Sequence, residues 1–160
     1  MEVVGTGEEM VAEGRRLKKQ FGDCCTIKVP CTRGGLAACR VLAAEGIRVN
    51  VTLIFSQTQA ILASKAGAAY VSPFVGRVDD NSFGGICLVK DIVNVFKEHY
   101  TTTQVLAASV RNVRDVGRLF EHGSDIVTMP PGVFDKMYNH VLTDAGLEQF
   151  DKDWSEVQGR

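Results

Sequence analysis

The stretch Glu45-Gly-Ile-Arg-Val-Asn-Val-Thr-Leu53 carries two signals that together decide the architecture. The first is the glycine. A residue without a Cβ closes a helix in a left-handed turn at little cost, and an apolar run begins a few residues later. Ala66-Gly-Ala-Ala-Tyr-Val71 and His122-Gly-Ser-Asp-Ile-Val127 repeat this grammar. Helices alternating with short Val-, Ile- and Leu-rich runs predict βαβ units and a parallel sheet. The second signal is a period of two. Val49, Val51 and Leu53 fall on one side of the strand, Asn50 and Thr52 on the other. An open doubly wound sheet buries both faces of its strands, which then read as nearly all apolar. Polar groups on one face, close to the strand C-termini, are the pattern of a (β/α) barrel with a site at its C-terminal mouth.

The same phase is expected elsewhere. Cys25, Ile27 and Val29 oppose Thr26 and Lys28, and Ala69, Val71 and Pro73 oppose Tyr70, Ser72 and Phe74. Ala107 is placed on one face with Ser109. The expected strands are Glu2–Val4, Cys24–Val29, Arg48–Leu53, Ala69–Pro73, Gln104–Ala108 and Asp125–Met129, about six where a closed barrel needs eight. Thr6-Gly-Glu-Glu9 and Ser56-Gln-Thr-Gln59 read as capping boxes, Asn112 as an N-cap, and Thr143 as the cap of a last helix carrying Leu147, Phe150 and Trp154. No linker interrupts the pattern, so residues 1–160 are expected to form one domain.

Composition narrows the function. Of 160 residues 45% are apolar and 23% charged, and the net charge is −1, which predicts no general attraction to nucleic acid or anionic membrane. Neither a signal peptide nor a span of about 18 apolar residues is evident, so a cytoplasmic protein is expected. The five cysteines fit no zinc spacing and read as reduced, small apolar fillers. The histidines are scattered, and no metal site is expected.

Lys28 is the sharpest chemical signal. A lone lysine near a strand end usually snorkels to water. Here Asn50 with Thr52, Ser72 and Ser109 are expected in matching phase on neighbouring strands. Desolvation inside a barrel disfavours the ammonium, and a neutral amine can condense with a carbonyl to a Schiff base, an electron sink for cleaving a carbon–carbon bond. Arg77 and Arg111 each follow a strand end, where an arginine is either solvated or paired with a surface carboxylate, or, as guanidinium forks suit phosphate, part of a phosphate pocket beside Ser109. Asp79-Asp80 reads as an exposed loop, Arg15–Lys19 as the wet face of a helix, and Glu2 as either a solvated end or a group handling a water inside the barrel.

The segments EVVGTGEEMV, IKVPCTRGGLAA, EGIRVNVTLIFSQTQA, AGAAYVSPFVGRVDD, VLAASVRN and MPPGVFDKM, in this order, resemble successive blocks of transaldolases of the short-chain branch. The resemblance implies a (β/α)8 barrel, no cofactor, and transfer of a dihydroxyacetone unit between sugar phosphates through a lysine Schiff base. It makes Lys28 the Schiff-base lysine, with Asn50 bonding substrate hydroxyls and Thr52 and Glu2 sharing a catalytic water. Ser72 and Phe74 would line the pocket, and Arg77, Ser109 and Arg111 would hold the phosphate. It also implies that the chain starts at the third barrel strand, without the first strand's aspartate or the second strand's Thr-Asn-Pro. Phosphorylated sugars and further copies of the chain are the expected partners. Two alternatives stand beside transfer. One is fructose-6-phosphate aldolase, whose tyrosine and glutamine are replaced here by Phe74 and Glu2. The other is a non-catalytic, sugar-phosphate-binding or oligomeric remnant.

Overall fold

The computed structural model describes residues 1–159. It divides into two compact units, Met1–Met129 and Pro130–Arg160.

The first unit alternates helices and parallel strands: α1 (Gly7–Phe21), β1 (Ile27–Pro30), α2 (Arg33–Ala44), β2 (Val49–Ile54), α3 (Gln57–Lys65), β3 (Tyr70–Pro73), α4 (Val75–Asp80), α5 (Gly85–Glu98), β4 (Gln104–Ala107), α6 (Val113–Glu121) and β5 (Ile126–Val127). The strands form one sheet in sequence order, and every neighbouring pair is parallel. β5 pairs with β4 and does not return to β1, so the five strands form an arc. Glu2–Val4, expected as a sixth strand, makes only a single parallel bridge, Glu2 to Lys28. That bridge is held by Val3 N donating to the Lys28 carbonyl at 2.9 Å and Lys28 N donating to the Met1 carbonyl at 2.7 Å.

One face of the arc packs on helices. Ile27, Val29, Val49, Val51, Val71, Val105 and Ala107 are buried there with Leu17, Cys39, Leu42, Ala63, Val89, Ile92 and Leu119. Burial pushes the Cys39 thiol up to about 11, as suits a cysteine used as a small apolar filler. All five cysteines are free.

The helix ends follow the sequence. Thr6 closes a full capping box with Glu9, and Asn112 accepts from Asp115 N. The Ser56 box is shifted: Ser56 accepts from Gln59 N, but the Gln59 side chain bonds Phe55 N instead of the cap's own N–H. Gly46, Gly67 and Gly123 have φ of 73°, 90° and 87°, the left-handed closures that the repeated grammar requires.

Three expectations are corrected. The first strand begins at Ile27, because a 3-10 turn occupies Gly22–Cys24. The last strand contracts to Ile126–Val127 before the paired prolines Pro130-Pro131. Strict alternation also fails at two strand ends. Leu53 has φ 58°, and the β2–β3 register shifts between Val51 and Ile54, which places Ile54 rather than Leu53 in the fully buried core. Ser109 has φ 60°, beyond the end of β4, so no strand phase aligns it with Ala107.

The second unit contains α7 (Pro131–Lys136) and α8 (Val141–Gln158). The cap of α8 is His140, whose Nδ1 accepts from Leu142 N, so Thr143 lies inside the first turn. Leu147, Phe150, Trp154 and Val157 recur at helical spacing, yet all are exposed, by 56%, 70%, 63% and 63%. Among the described residues no helix is long and apolar enough to cross a membrane.

Candidate active site

The polar residues of the inner face come together because the ladder register puts them side by side. Lys28 is the direct partner of Asn50 across β1 and β2, and Asn50 of Tyr70 across β2 and β3. Lys28, Asn50, Tyr70, Leu106 and Ile126, one from each of the five strands, line a cavity of about 250 Å³ with Met1 and Thr26. The sheet is therefore curved enough for its two edge strands to face one space.

Lys28 Nζ lies 3.4 Å from Glu2 Oε2, which places the half-exposed carboxylate beside the amine. The lysine side chain remains 32% exposed, because the arc curls round it without closing. The dry, walled cup expected from the sequence is thus open on one side. Next to the lysine, Ser72 Oγ donates to Asn50 Oδ1 at 2.9 Å, which fixes the amide and leaves its two N–H donors for another acceptor. Thr52 is fully buried, and among the described residues its hydroxyl is the one buried side-chain oxygen or nitrogen without a partner. An orphan hydroxyl in a core is costly unless something polar visits it. Thr52→Val is therefore expected to raise stability by about 1 kcal/mol, a melting temperature shift of about 2–4 °C for a domain of this size. Turnover is expected to fall in the same variant, and differential scanning calorimetry alongside an activity assay reads both.

The mouth of the site is spliced together by backbone. Phe74 bridges Ala108, Val75 N donates to the Ala108 carbonyl at 2.9 Å, and Gly76 N donates to the Ser109 carbonyl at 3.1 Å. These bonds bring the start of α4, carrying Arg77, against the β4–α6 turn, carrying Ser109 and Arg111. The Phe74 ring stands between the two halves: Lys28 Nζ is 6.0 Å from its centroid and the Arg77 guanidinium carbon 4.8 Å. Phe55 meets it edge-on at 5.9 Å.

Four residues were not given roles by sequence reading. Tyr70 and Leu106 line the cavity, and their phase within the strands was the signal that could have found them. Asp79 and Asp80 lie in the last turn of α4, not in a loop. Asp79 Oδ1 accepts from Gly85 N at 2.8 Å, tying α4 to the start of α5. Asp80 grips Arg111 with both oxygens, Nη1 to Oδ1 at 2.5 Å and Nη2 to Oδ2 at 2.6 Å. The Arg111 guanidinium beside it holds the Asp80 carboxyl below the usual range, and the carboxylate in turn raises Arg111.

Comparison with known proteins points to one family. A family model described as Transaldolase/Fructose-6-phosphate aldolase matches residues 1–160. A probable transaldolase of Nitrosopumilus maritimus (strain SCM1) is 52% identical over 160 residues, covering 99% of this chain and 72% of that protein. A probable transaldolase of Caulobacter sp. (strain K31) is 53% identical over 150 residues, covering 94% and 69%. A mandelate oxidase structure with a monooxide FMN adduct superposes with a TM-score of 0.60 at 15% identity, over 80% of this chain and 46% of the oxidase, a likeness of fold alone. With the parallel arc, the inner-face lysine and the match along its whole length, the chain belongs to the transaldolase/fructose-6-phosphate aldolase family, whose fold is the (β/α)8 barrel.

Proposed function

We propose that the protein is a transaldolase, moving a dihydroxyacetone unit from a ketose phosphate to an aldose phosphate in the cytoplasm, within the pentose phosphate pathway, with Lys28 as the Schiff-base residue. The observation that carries this reading is the amine on the inner strand face, in register with Asn50 and 3.4 Å from the Glu2 carboxylate.

The Lys28 amine, once it has given up a proton, adds to the ketose carbonyl, and the carbinolamine loses water to give an iminium. Glu2, with a water held by the Thr52 hydroxyl, shuttles the protons of that dehydration. Asn50, fixed by Ser72, donates to substrate hydroxyls. As the proton of the hydroxyl on the fourth carbon passes to the water shared by Glu2 and Thr52, the bond between the third and fourth carbons breaks; its electron pair flows into the iminium and leaves an enamine on Lys28, while the fragment bearing the new aldehyde departs as the aldose phosphate. The enamine carbon then attacks the carbonyl of the acceptor aldose, and hydrolysis returns the free amine. Arg77, Ser109 and Arg111 hold the phosphate at the mouth, where a guanidinium offers paired donors to its oxygens. Phe74 supplies an apolar wall and no proton, which favours transfer over release of free dihydroxyacetone.

The test is reduction with borohydride in the presence of fructose 6-phosphate, followed by peptide mass spectrometry. An adduct on Lys28 is the expected outcome. Its absence from folded protein that still binds inorganic phosphate would remove the Schiff-base chemistry and leave a sugar-phosphate-binding protein.

The protein is also proposed to be a homo-oligomer. Leu147, Phe150, Trp154 and Val157 form an apolar stripe on α8 that is exposed in the single chain, and a second copy is the partner it fits. Phe150→Glu with Trp154→Glu is expected to lower the mass seen by light scattering to that of one chain. An unchanged mass would show that other surfaces hold the assembly.

A further inference from the structure

We infer that Asp80 is a positioning residue for phosphate recognition, acting through Arg111. The inference rests on the proposed phosphate role of Arg111 and adds to it a residue that touches neither phosphate nor reacting atoms.

Arg111 lies on the surface, with a side chain 54% exposed, and an arginine in that setting samples many rotamers. Asp80 removes that freedom with two near-parallel bonds from the tip of the fork. A guanidinium has five N–H donors in one plane. Asp80 takes one from Nη1 and one from Nη2, so Nε–H and the outward N–H of Nη2 remain as a second pair along the adjoining edge. Two donors on one edge suit two oxygens of a phosphate. Arg111 Nε lies close over Gly76, where a Cβ would sit 2.7 Å from it, so the glycine keeps a side chain from crowding this edge.

The rest of the clamp is anchored as well. Asp80 ends α4, whose first turn is bonded to the Ser109 carbonyl through Gly76 N and whose last turn is tied to α5 through Asp79. Arg77 starts from the same short helix. One carboxylate therefore sets the spacing between two arginines.

Two effects of Asp80 on phosphate oppose each other. Its charge repels the anion, but Asp80 is itself 50% exposed, so water and salt screen that repulsion. Its hold on Arg111 removes an ordering cost that would otherwise be met at binding. Positioning wins if loss of Asp80 weakens phosphate binding, and repulsion wins if loss of Asp80 strengthens it.

Inorganic phosphate is the probe, titrated into the full chain and followed by the arginine Nε–H signals in proton–nitrogen spectra, with the Arg111 signal identified by its loss in Arg111→Lys. Asp80→Asn and Asp80→Ala are each expected to weaken phosphate about tenfold. Asp80→Glu, which keeps the carboxylate, is expected to recover most of the affinity. In the Arg111→Lys background Asp80→Ala is expected to add nothing, a non-additivity that a merely structural effect would not produce. Unchanged or tighter phosphate binding in the Asp80 variants, with Arg111→Lys still weakened, overturns the role of Asp80 alone. A wild-type chain whose Arg111 signal ignores phosphate overturns the phosphate site and the role of Asp80 together.

Discussion

Replacing Lys28 by methionine is expected to abolish the borohydride-trapped adduct and to lower turnover by about four orders of magnitude, the scale of losing a covalent nucleophile. Methionine keeps an unbranched stem of similar length and removes only the amine. The side chain is about two-thirds buried, and the methionine stem keeps most of that packing. The variant should therefore melt within a few degrees of the wild type and bind inorganic phosphate as well as it does, since the proposed phosphate groups Arg77 and Arg111 sit on α4 and on the turn before α6 and not on the lysine's strand. Retained trapping in Lys28→Met, at another lysine, would move the chemistry elsewhere in the chain. Retained turnover would end the Schiff-base reading.

The second large effect comes from a methyl group. Gly76→Ala is expected to destabilise the protein by about 1–3 kcal/mol and to cost most of its phosphate affinity, as read by chemical denaturation and phosphate titration. Gly76 is inside α4, where alanine is intrinsically preferred by about 1 kcal/mol. That preference loses here. A Cβ at Gly76 would collide with the Ser109 carbonyl oxygen and lie 2.7 Å from Arg111 Nε. The oxygen belongs to a residue already in the left-handed region at φ 60°, so the turn has little room to yield. Gly117, in α6, is the control: nothing lies within 4 Å of its Cβ position, so Gly117→Ala should stabilise the protein. Equal effects at the two glycines would mean that helix propensity, not the close approach to Ser109, governs both.

Much of the architecture was legible in the chain. Glycine closures such as Gly46 and caps such as Thr6 and Asn112 are local devices whose geometry follows from the residue itself. Period two gave the inner face of β1 and β3 in full, and that of β2 as far as Thr52. It stopped at Leu53 and Ser109, where non-glycine residues take positive φ under constraints supplied by neighbouring strands and α4. No pattern of side chains marks such positions in advance. The role of Asp80 was hidden for a related reason: its partner, Arg111, is 31 residues away. Two adjacent acidic residues read as wet until the fold brings a guanidinium to one and a backbone N–H to the other. The exposed stripe on α8 was visible as spacing, but spacing does not tell whether a face is covered by the same chain.

The single bridge at Glu2 has a kinetic consequence. Asn50, Thr52 and Ser72 ride on β2 and β3, which have ladder partners on both sides and should exchange their amide hydrogens last. The Glu2 segment is held at the margin of the sheet by three main-chain bonds, Met1 N to the Thr26 carbonyl, Lys28 N to the Met1 carbonyl and Val3 N to the Lys28 carbonyl, and margins with so few ladder bonds open first. Thermal breathing would thus part the Glu2 carboxylate from the Lys28 amine while the Asn50–Ser72 pair stays intact. With Glu2 in its proposed proton-carrying role, heat or mild denaturant would silence turnover before it disordered the Asn50 amide.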